Sequence, residues 1–310
     1  MELRQLSIFL STARHGSVTD AAKALFVSQP TVSLQIAALE KELGVVLFDR
    51  QSRGVELTEA GRILKRYADD ILSLADMAAQ AMGRYSAEVT GIVRAAASSV
   101  PADYVLPAAA AEFLSAHPSV MLELKRASSF DVVQQVLNYD VELGFVGSLA
   151  HSSELDAVPL LEDEIIIISA PCGDSTAWTD PVDLDTVLEQ PMLCRELGSG
   201  TQKTFEDALA AAGVDAETLR VRARFESPEA LKAAVACGAG IAAISALAAA
   251  TDVAQGRLLA FRIKGFDMRR RFHMISHRRK VLSPATAAFR QHIVDKFALA
   301  AEAAKVVKQE

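Results

Sequence analysis

The sequence predicts an N-terminal all-α winged helix-turn-helix, a long linker helix, and a C-terminal α/β domain of two lobes. Three observations carry this. Two capped amphipathic segments lie close together between Ser17 and Leu43. A proline-free stretch from Glu59 to Tyr85 places apolar residues at steps of three and four, and beyond Gly91 short β-rich runs alternate with helical ones. With 310 residues, 51% of them apolar, the chain can bury more than one core.

In the first unit, Leu3, Leu6, Ile8, Phe9, Leu10 and Ala13 give an opening helix its apolar side. Ser17 is an N-cap with Asp20 three residues on, a carboxylate version of the capping box, and Val18, Ala21, Ala22 and Leu25 extend a helix over about residues 18–25. Phe26 and Val27 are expected to cover the turn. Ser28 caps a second helix with Pro30 in its first turn, where a missing N–H costs little. Val32, Ile36, Leu39 and Leu43 form its buried face. The other face offers Gln29, Pro30, Thr31, Ser33 and Gln35, mostly neutral donors and acceptors of the kind that read adenine edges and thymine methyls in a major groove. Two capped helices around a tight turn occur in many folds, so the surroundings decide. Val45–Phe48 and Val55–Leu57 read as strands around the tip Asp49–Gly54, which makes a wing, with Arg50 and Arg53 placed to reach phosphate or the minor groove. Residues 1–57 form this unit.

Here the chain resembles the LysR-type transcriptional regulators of bacteria. The matching stretches are "ARHGSVTDAAKALFVSQPTVSLQIAALEKELGVVLFDR" and "RGVELTEAG", followed by a long helix and a ligand domain. The likeness is strong over the first 65 residues and looser beyond, while spanning essentially the whole chain. It implies a double-stranded DNA partner and a sensed small molecule.

Charge bears on how such a protein would bind. Residues 1–87 hold ten Lys or Arg against ten Asp or Glu, so the chain's excess of seven negative charges lies beyond them. One neutral domain gains little from phosphate neutralisation, and linking copies recovers affinity through effective concentration. A homodimer or homotetramer is therefore expected. Residues 58–87 supply the means: Thr58 caps a helix whose Leu64, Tyr67, Ile71, Leu74, Ala78, Ala81 and Tyr85 form a heptad seam. A long helix packed only on its own chain is the alternative, and the resemblance favours a dimerising linker.

A composition shift at Ala87–Gly91 opens the last unit, residues 88–310. Ile92–Ala97 reads as a strand, Pro101–His117 as a helix, Val120–Leu124 as a strand, Phe130–Leu137 as a helix and Leu143–Gly147 as a strand, a βαβαβ order with a parallel sheet. Glu164–Ser169 opens a second series: Met192–Arg195, a helix over 202–212, Arg222–Phe225, a helix over 228–237, and Ile241–Ser245. The chain returns through Arg271–Ser276 and closes on a helix from Pro284 to about Ala304. Lobe I is then about 88–163 with 265–310, and lobe II about 164–264. Two lobes with two crossings resemble the periplasmic-binding-protein-like effector domain of the same family, in which a small molecule sits in the cleft.

The sharpest motif there is Arg195-Glu-Leu-Gly-Ser-Gly-Thr-Gln202, a Gly-flanked loop opening a helix. Converging backbone N–H groups, the Ser199 and Thr201 hydroxyls and the positive helix end suit an anion. Ser98 and Ser99, at the end of the first strand, hold the matching place in the facing lobe. Ser227 starts another helix of lobe II. Ordinary capping would explain all of these hydroxyls as well. In relatives with a similar loop the sensed molecule is a small inorganic or carboxylate anion, often tied to sulfur metabolism, and Arg usually follows the Thr. Here Gln202 and Lys203 stand there, so a singly charged or zwitterionic ligand stays open. The candidate effector residues are Ser98, Ser99, Ser199, Thr201, Gln202 and Ser227.

Other classes fit less well. His273 and His277, four apart on a strand, would sit roughly 13 Å apart by rise, too far to share a metal. Gly238–Ile244 reads as a tight turn rather than a nucleotide loop, and there is no nucleophile elbow, so neither an enzyme nor a cofactor is expected. Cys172, Cys194 and Cys237 have no metal-ligand spacing and suit a reducing cytoplasm. No apolar run reaches 18 residues and the N-terminus has no signal segment, which argues against a membrane partner and against an exported binding protein.

Overall fold

A computed structural model describes residues 1–51, 54–82, 89–148 and 152–307. Helices α1 (Leu3–His15), α2 (Val18–Ala24) and α3 (Gln29–Leu43) pack around Leu6, Phe9, Val32, Leu39 and Leu47. Ser17 and Ser28 cap α2 and α3, accepting from the N–H groups of Asp20 and Thr31. Two expected burials fail: Leu43 is half exposed, and Phe26, at φ 54°, is 96% exposed and covers nothing. Val27 alone joins the core from that turn.

The wing strands are β1 (Phe48–Gln51) and β2 (Gly54–Leu57), antiparallel with Phe48 opposite Leu57. The first begins three residues later than the apolar run Val45–Phe48 suggests. The Glu40 carboxylate accepts from the Leu47 and Phe48 N–H groups at 2.7 and 3.3 Å, holding this stretch against α3 instead of in a ladder.

Helix α4 (Glu59–Met82) opens on Thr58, whose hydroxyl accepts from Gly61 N–H at 3.0 Å. Its expected single seam divides in two. Leu64, Ala68, Ile71 and Leu72 pack on the core of α1, α2 and α3 in the same chain, whereas Ile63, Tyr67, Leu74 and Met77 stay exposed along another stripe. Of the remaining seam residues Ala78 is exposed, and the Ala81 side chain and Tyr85 lie outside the described residues.

Lobe I begins with β3 (Gly91–Ala97), paired in parallel with β4 (Val120–Arg126) and β5 (Leu143–Val146). Between β3 and β4 the chain makes a π-helical turn, Pro101–Val105, before α5 (Leu106–Ala116). Pro107 has no N–H to donate, and the Leu106 N–H reaches back to Pro101 O, so the expected continuous helix is wound loosely at its start. Helix α6 (Ser129–Leu137) joins β4 to β5.

A single strand, β6 (Leu155–Ser169), runs through both lobes. Its first part pairs with β11 (Arg269–His277) up to Glu164 opposite Arg269, and Ile165–Ser169 pair with β9 (Ala242–Ser245) and β10 (Leu259–Phe261). Sequence reading places a strand only over its second part. Lobe II adds α7 (Leu184–Leu188), β7 (Met192–Arg195), α8 (Gly200–Ala211), β8 (Val221–Phe225), α9 (Pro228–Ala236) and α10 (Ala246–Ala254). Helix α11 (Pro284–Val307) returns to lobe I, where Phe289 packs on Phe113 and Phe145. Strands β6 and β11 are thus the two threads between lobes whose cores are otherwise separate. Lobe I also meets α4: Lys280 pairs with Asp69, Lys65 pairs with Asp140, and Val281 N–H donates to Asp70 at 3.2 Å.

Candidate functional site

In the N-terminal domain, α3 leaves Gln29, Pro30 and Ser33 exposed and Thr31 and Gln35 half-buried. The Thr31 hydroxyl shares a 2.8 Å hydrogen bond with Ser28, so it is half occupied in capping. Leu34, which the polar pattern of this face does not reveal, is 70% exposed on the same helix, an apolar side chain of the kind that can meet a thymine methyl. Arg50 lies on β1, its side chain undescribed, and Arg53 falls outside the described residues.

In the second domain three chain segments end on one cavity between the lobes. Ser98 and Ser99 lead into the π-helical turn at Pro101, Ser128 and Ser129 open α6, and Ser199, Gly200 and Thr201 open α8. Each is a strand-to-helix junction, so each brings a positive helix end and a hydroxyl. The cavity measures about 10 Å³, room for roughly one water. Gly198, at φ 87°, takes the left-handed turn that lets the loop fold over onto α8.

The hydroxyls differ in what they already do. Ser199 caps α8 by accepting from Gln202 N–H, and Ser128 caps α6 by accepting from Asp131 N–H at 3.1 Å. Ser99 accepts from Arg195 Nη2 at 3.1 Å across the cleft. Ser129 Oγ is buried and has no hydrogen-bond partner among the described residues. Gln202 turns away into lobe II: its Oε1 accepts from Arg195 N–H at 3.1 Å and its Nε2 donates to Glu206 at 2.9 Å. Ser227 does not line this cavity and caps α9, accepting from Ala230 N–H.

Two arginines stand at the site. Arg195, 1% exposed, is spent on Glu196 and on the carbonyls of Phe225 and Glu226 as well as on Ser99. Arg270 lines the cavity from β11, its side chain 7% exposed, and donates from Nε to Asp163 at 2.8 Å. Its Nη2 is equally near that carboxylate but off line, and it has no hydrogen-bond partner among the described residues. Burial pulls its guanidinium below the ordinary range, partly offset by Asp163. Sequence reading missed Arg270 because Arg269-Arg-Arg271 looks like a basic surface run. Strand alternation was the available signal: Arg269 and Arg271 face out to Asp267 and Glu162 while Arg270 faces in. The Ser128–Ser129 pair carried the same strand-to-helix signal as Ser98–Ser99.

Comparisons with known proteins agree with both halves of this description. Residues 3–62 match the family model "Bacterial regulatory helix-turn-helix protein, lysR family", and residues 86–298 match "LysR substrate binding domain". The chain is 32% identical over 299 residues to the RuBisCO operon transcriptional regulator of Allochromatium vinosum, covering 96% of this chain and 97% of that one. Full-length CbnR, solved with its target DNA, superposes with a TM-score of 0.60 at 25% identity, covering 95% of this chain and 99% of that one. The regulatory domain of Synechocystis PCC6803 CcmR, solved with 2-PG, shares the fold at a TM-score of 0.61 and 24% identity over 67% of this chain and 98% of that one. A capped helix-turn-helix with a wing, a long helix and a two-lobed domain hung on two strands, all within matched family models, make this chain a member of the LysR family of DNA-binding transcriptional regulators.

Proposed function

We propose that a small anion bound between the lobes holds them closed, and that closure changes how the paired readers sit on DNA. The observation that carries this is the buried Ser129 Oγ, without a hydrogen-bond partner among the described residues, in the cavity that Arg270 also lines and where three helix starts converge. A buried hydroxyl with no partner costs about 1–3 kcal/mol, and an anion accepting from it removes that cost. Asp163 beside Arg270 and Glu196 beside Arg195 already balance the two guanidinium charges, so the pull on an anion comes from backbone and hydroxyl dipoles and favours a single charge. A ligand bound in CcmR supports a domain of this shape holding a small molecule. Gln202 and Ser227 act as supports of lobe II in this reading rather than as contacts.

The reader inserts α3 into a major groove, with Gln29, Ser33 and Leu34 at base edges and Pro30, Thr31 and Gln35 beside them. Two copies pair through the exposed α4 stripe of Tyr67, Leu74 and Met77, and the geometry of that pair, biased by closure, selects spacing or bend of the DNA. A footprint on operator DNA, recorded with and without the anion that most raises the melting temperature, tests this. A changed footprint is expected; an identical one with saturating anion contradicts the coupling.

A further inference from the structure

Between α1 and α4 of the reader and β3, β4 and α6 of lobe I lies a groove of about 300 Å³, and it shares no lining residue with the cavity between the lobes. Four cations and three carboxylates line it. Each carboxylate is already matched: Asp140 pairs with Lys65, Glu123 with Arg94 at 3.1 Å, and Asp69 with Lys280 from outside the groove. Arg14 and Lys125 are left with no hydrogen-bond or ion-pair partner among the described residues. Arg94 donates only its Nε to Glu123, so its two Nη groups remain for another acceptor. Desolvation and, after it, the neighbouring Arg94 charge pull the Arg14 guanidinium below its ordinary range, while Glu123, Asp140 and Glu142 pull the other way. The groove thus carries two unmatched positive charges, one on each domain. The adjoining cavity of about 810 Å³, which Arg14 and Arg94 also border, adds Asp76 and Glu142 and has no such excess.

We infer that this groove is a second binding site, one that takes the phosphate end of a small phosphomonoester. Such a group carries close to two negative charges at neutral pH, which the charges of Arg14 and Lys125 balance. The planar forks of Arg14 and Arg94 suit phosphate oxygens, and Lys125 adds a point charge. Leu10, Ala13 and Val141 offer the rest of the molecule an apolar wall, and the space exceeds what a bare phosphate fills. Arg14 belongs to the reader and Lys125 to lobe I, so the ligand binds the docked arrangement of the two better than an undocked one. It ties the reader's orientation to a signal separate from that of the cleft.

The test is calorimetry on the full chain with glycerol 3-phosphate, inorganic phosphate and succinate at one ionic strength. Glycerol 3-phosphate should bind, and more tightly than the other two. Arg14→Gln and Lys125→Gln should each weaken it about tenfold or more. Lys125 is exposed on the edge strand β4, so its replacement leaves the fold intact even where Arg14→Gln lowers the melting temperature. Thr201→Val removes a hydroxyl between the lobes and separates the two sites: groove binding should persist in it within about twofold. Hydrogen exchange of the Val281 amide, which donates to Asp70 across the same junction, should slow when glycerol 3-phosphate saturates the chain. Binding lost in Thr201→Val and kept in both glutamine variants puts the ester between the lobes and overturns the inference. So does the absence of binding in the millimolar range, or succinate bound as tightly as the ester. Unchanged Val281 exchange at saturation overturns the tie to docking.

Discussion

Replacing Gly200 with Ala separates folding from closure. Gly200 is the first residue of α8, and its backbone is one that Ala adopts without strain. Removing a glycine there reduces the freedom of the unfolded chain and favours lobe II by about 0.4–1 kcal/mol. The added Cβ, however, would stand 3.2 Å from Ser129 Oγ and 3.4 Å from Ser148 Cβ, both on the facing lobe. Carbon contacts are at their best near 3.5–4.0 Å, so closed lobes must spread by a few tenths of an ångström, and overpacking of this kind costs about 1–3 kcal/mol. That cost falls on the arrangement in which the lobes stand this close, which the proposed function makes the ligand-bound one. Ligand-free G200A should melt at or slightly above the wild-type temperature while its anion affinity drops about 5- to 150-fold. Scanning calorimetry and titration with hexanoate measure the two quantities. Gly198→Ala is the contrasting control: nothing lies within 4 Å of its Cβ, but φ 87° strains any other residue, so stability itself should fall by about 1 kcal/mol. If G200A binds hexanoate as tightly as the wild type, the lobes do not close on the start of α8.

Gln29→Ala or Ser33→Tyr should cost about 1–3 kcal/mol of specific DNA affinity with folding unchanged, and unchanged operator binding in both would remove α3 from the groove. Leu74→Asp, on the exposed stripe of α4, should shift the sedimenting mass toward monomer, whereas Ile71→Asp, packed on the reader core, should lower the melting temperature through a buried unpaired charge. Interchanged outcomes would reassign the two faces. Burial holds the Glu142 carboxyl above the ordinary range despite hydrogen bonds from Ser283 N–H at 2.8 Å and its hydroxyl at 3.1 Å. The folded chain then binds this proton more tightly than the unfolded one, so its contribution to stability falls as pH rises from about 4.5 through the raised value. Denaturant titrations of Glu142→Gln across that window should lack this loss, and an undiminished slope would assign it to another group.

The sequence made the reader legible because its signals are local: Ser17, Ser28 and Pro30 punctuate helices that short-range hydrogen bonds complete. Where a distant group intervenes, reading fails. Glu40 moves the start of β1, and no pattern within Val45–Phe48 reveals an acceptor seven residues back. The first half of β6 is hard to read for a different reason: Pro159 cannot donate to a ladder, and acidic residues such as Asp156, Glu162 and Asp163 are poor strand formers. The register against β11 shifts between Arg271 and His273, opposite Pro159, which is how the ladder absorbs the missing donor. The linker stripe misled because its apolar residues serve two partners at once, and a heptad count cannot apportion them. At the cleft, the strand-to-helix serines were readable from order alone, whereas Arg270 depended on knowing which strand face meets the cavity.

The melting temperature of the full chain against a panel of sulfate, phosphate and short to medium carboxylates, in the wild type and in Thr201→Val, decides whether an anion is held between the lobes. Thr201 is 4% exposed and lines the cavity, and valine keeps its shape while removing its hydroxyl. An anion at 100 times its Kd stabilises the native state by about 2.7 kcal/mol, a rise of several degrees for domains of this size. At least one anion should give that rise in the wild type, and Thr201→Val, with its ligand-free melting temperature preserved, should lose most of it. A wild type that no anion stabilises, or a variant that responds in full, would contradict it.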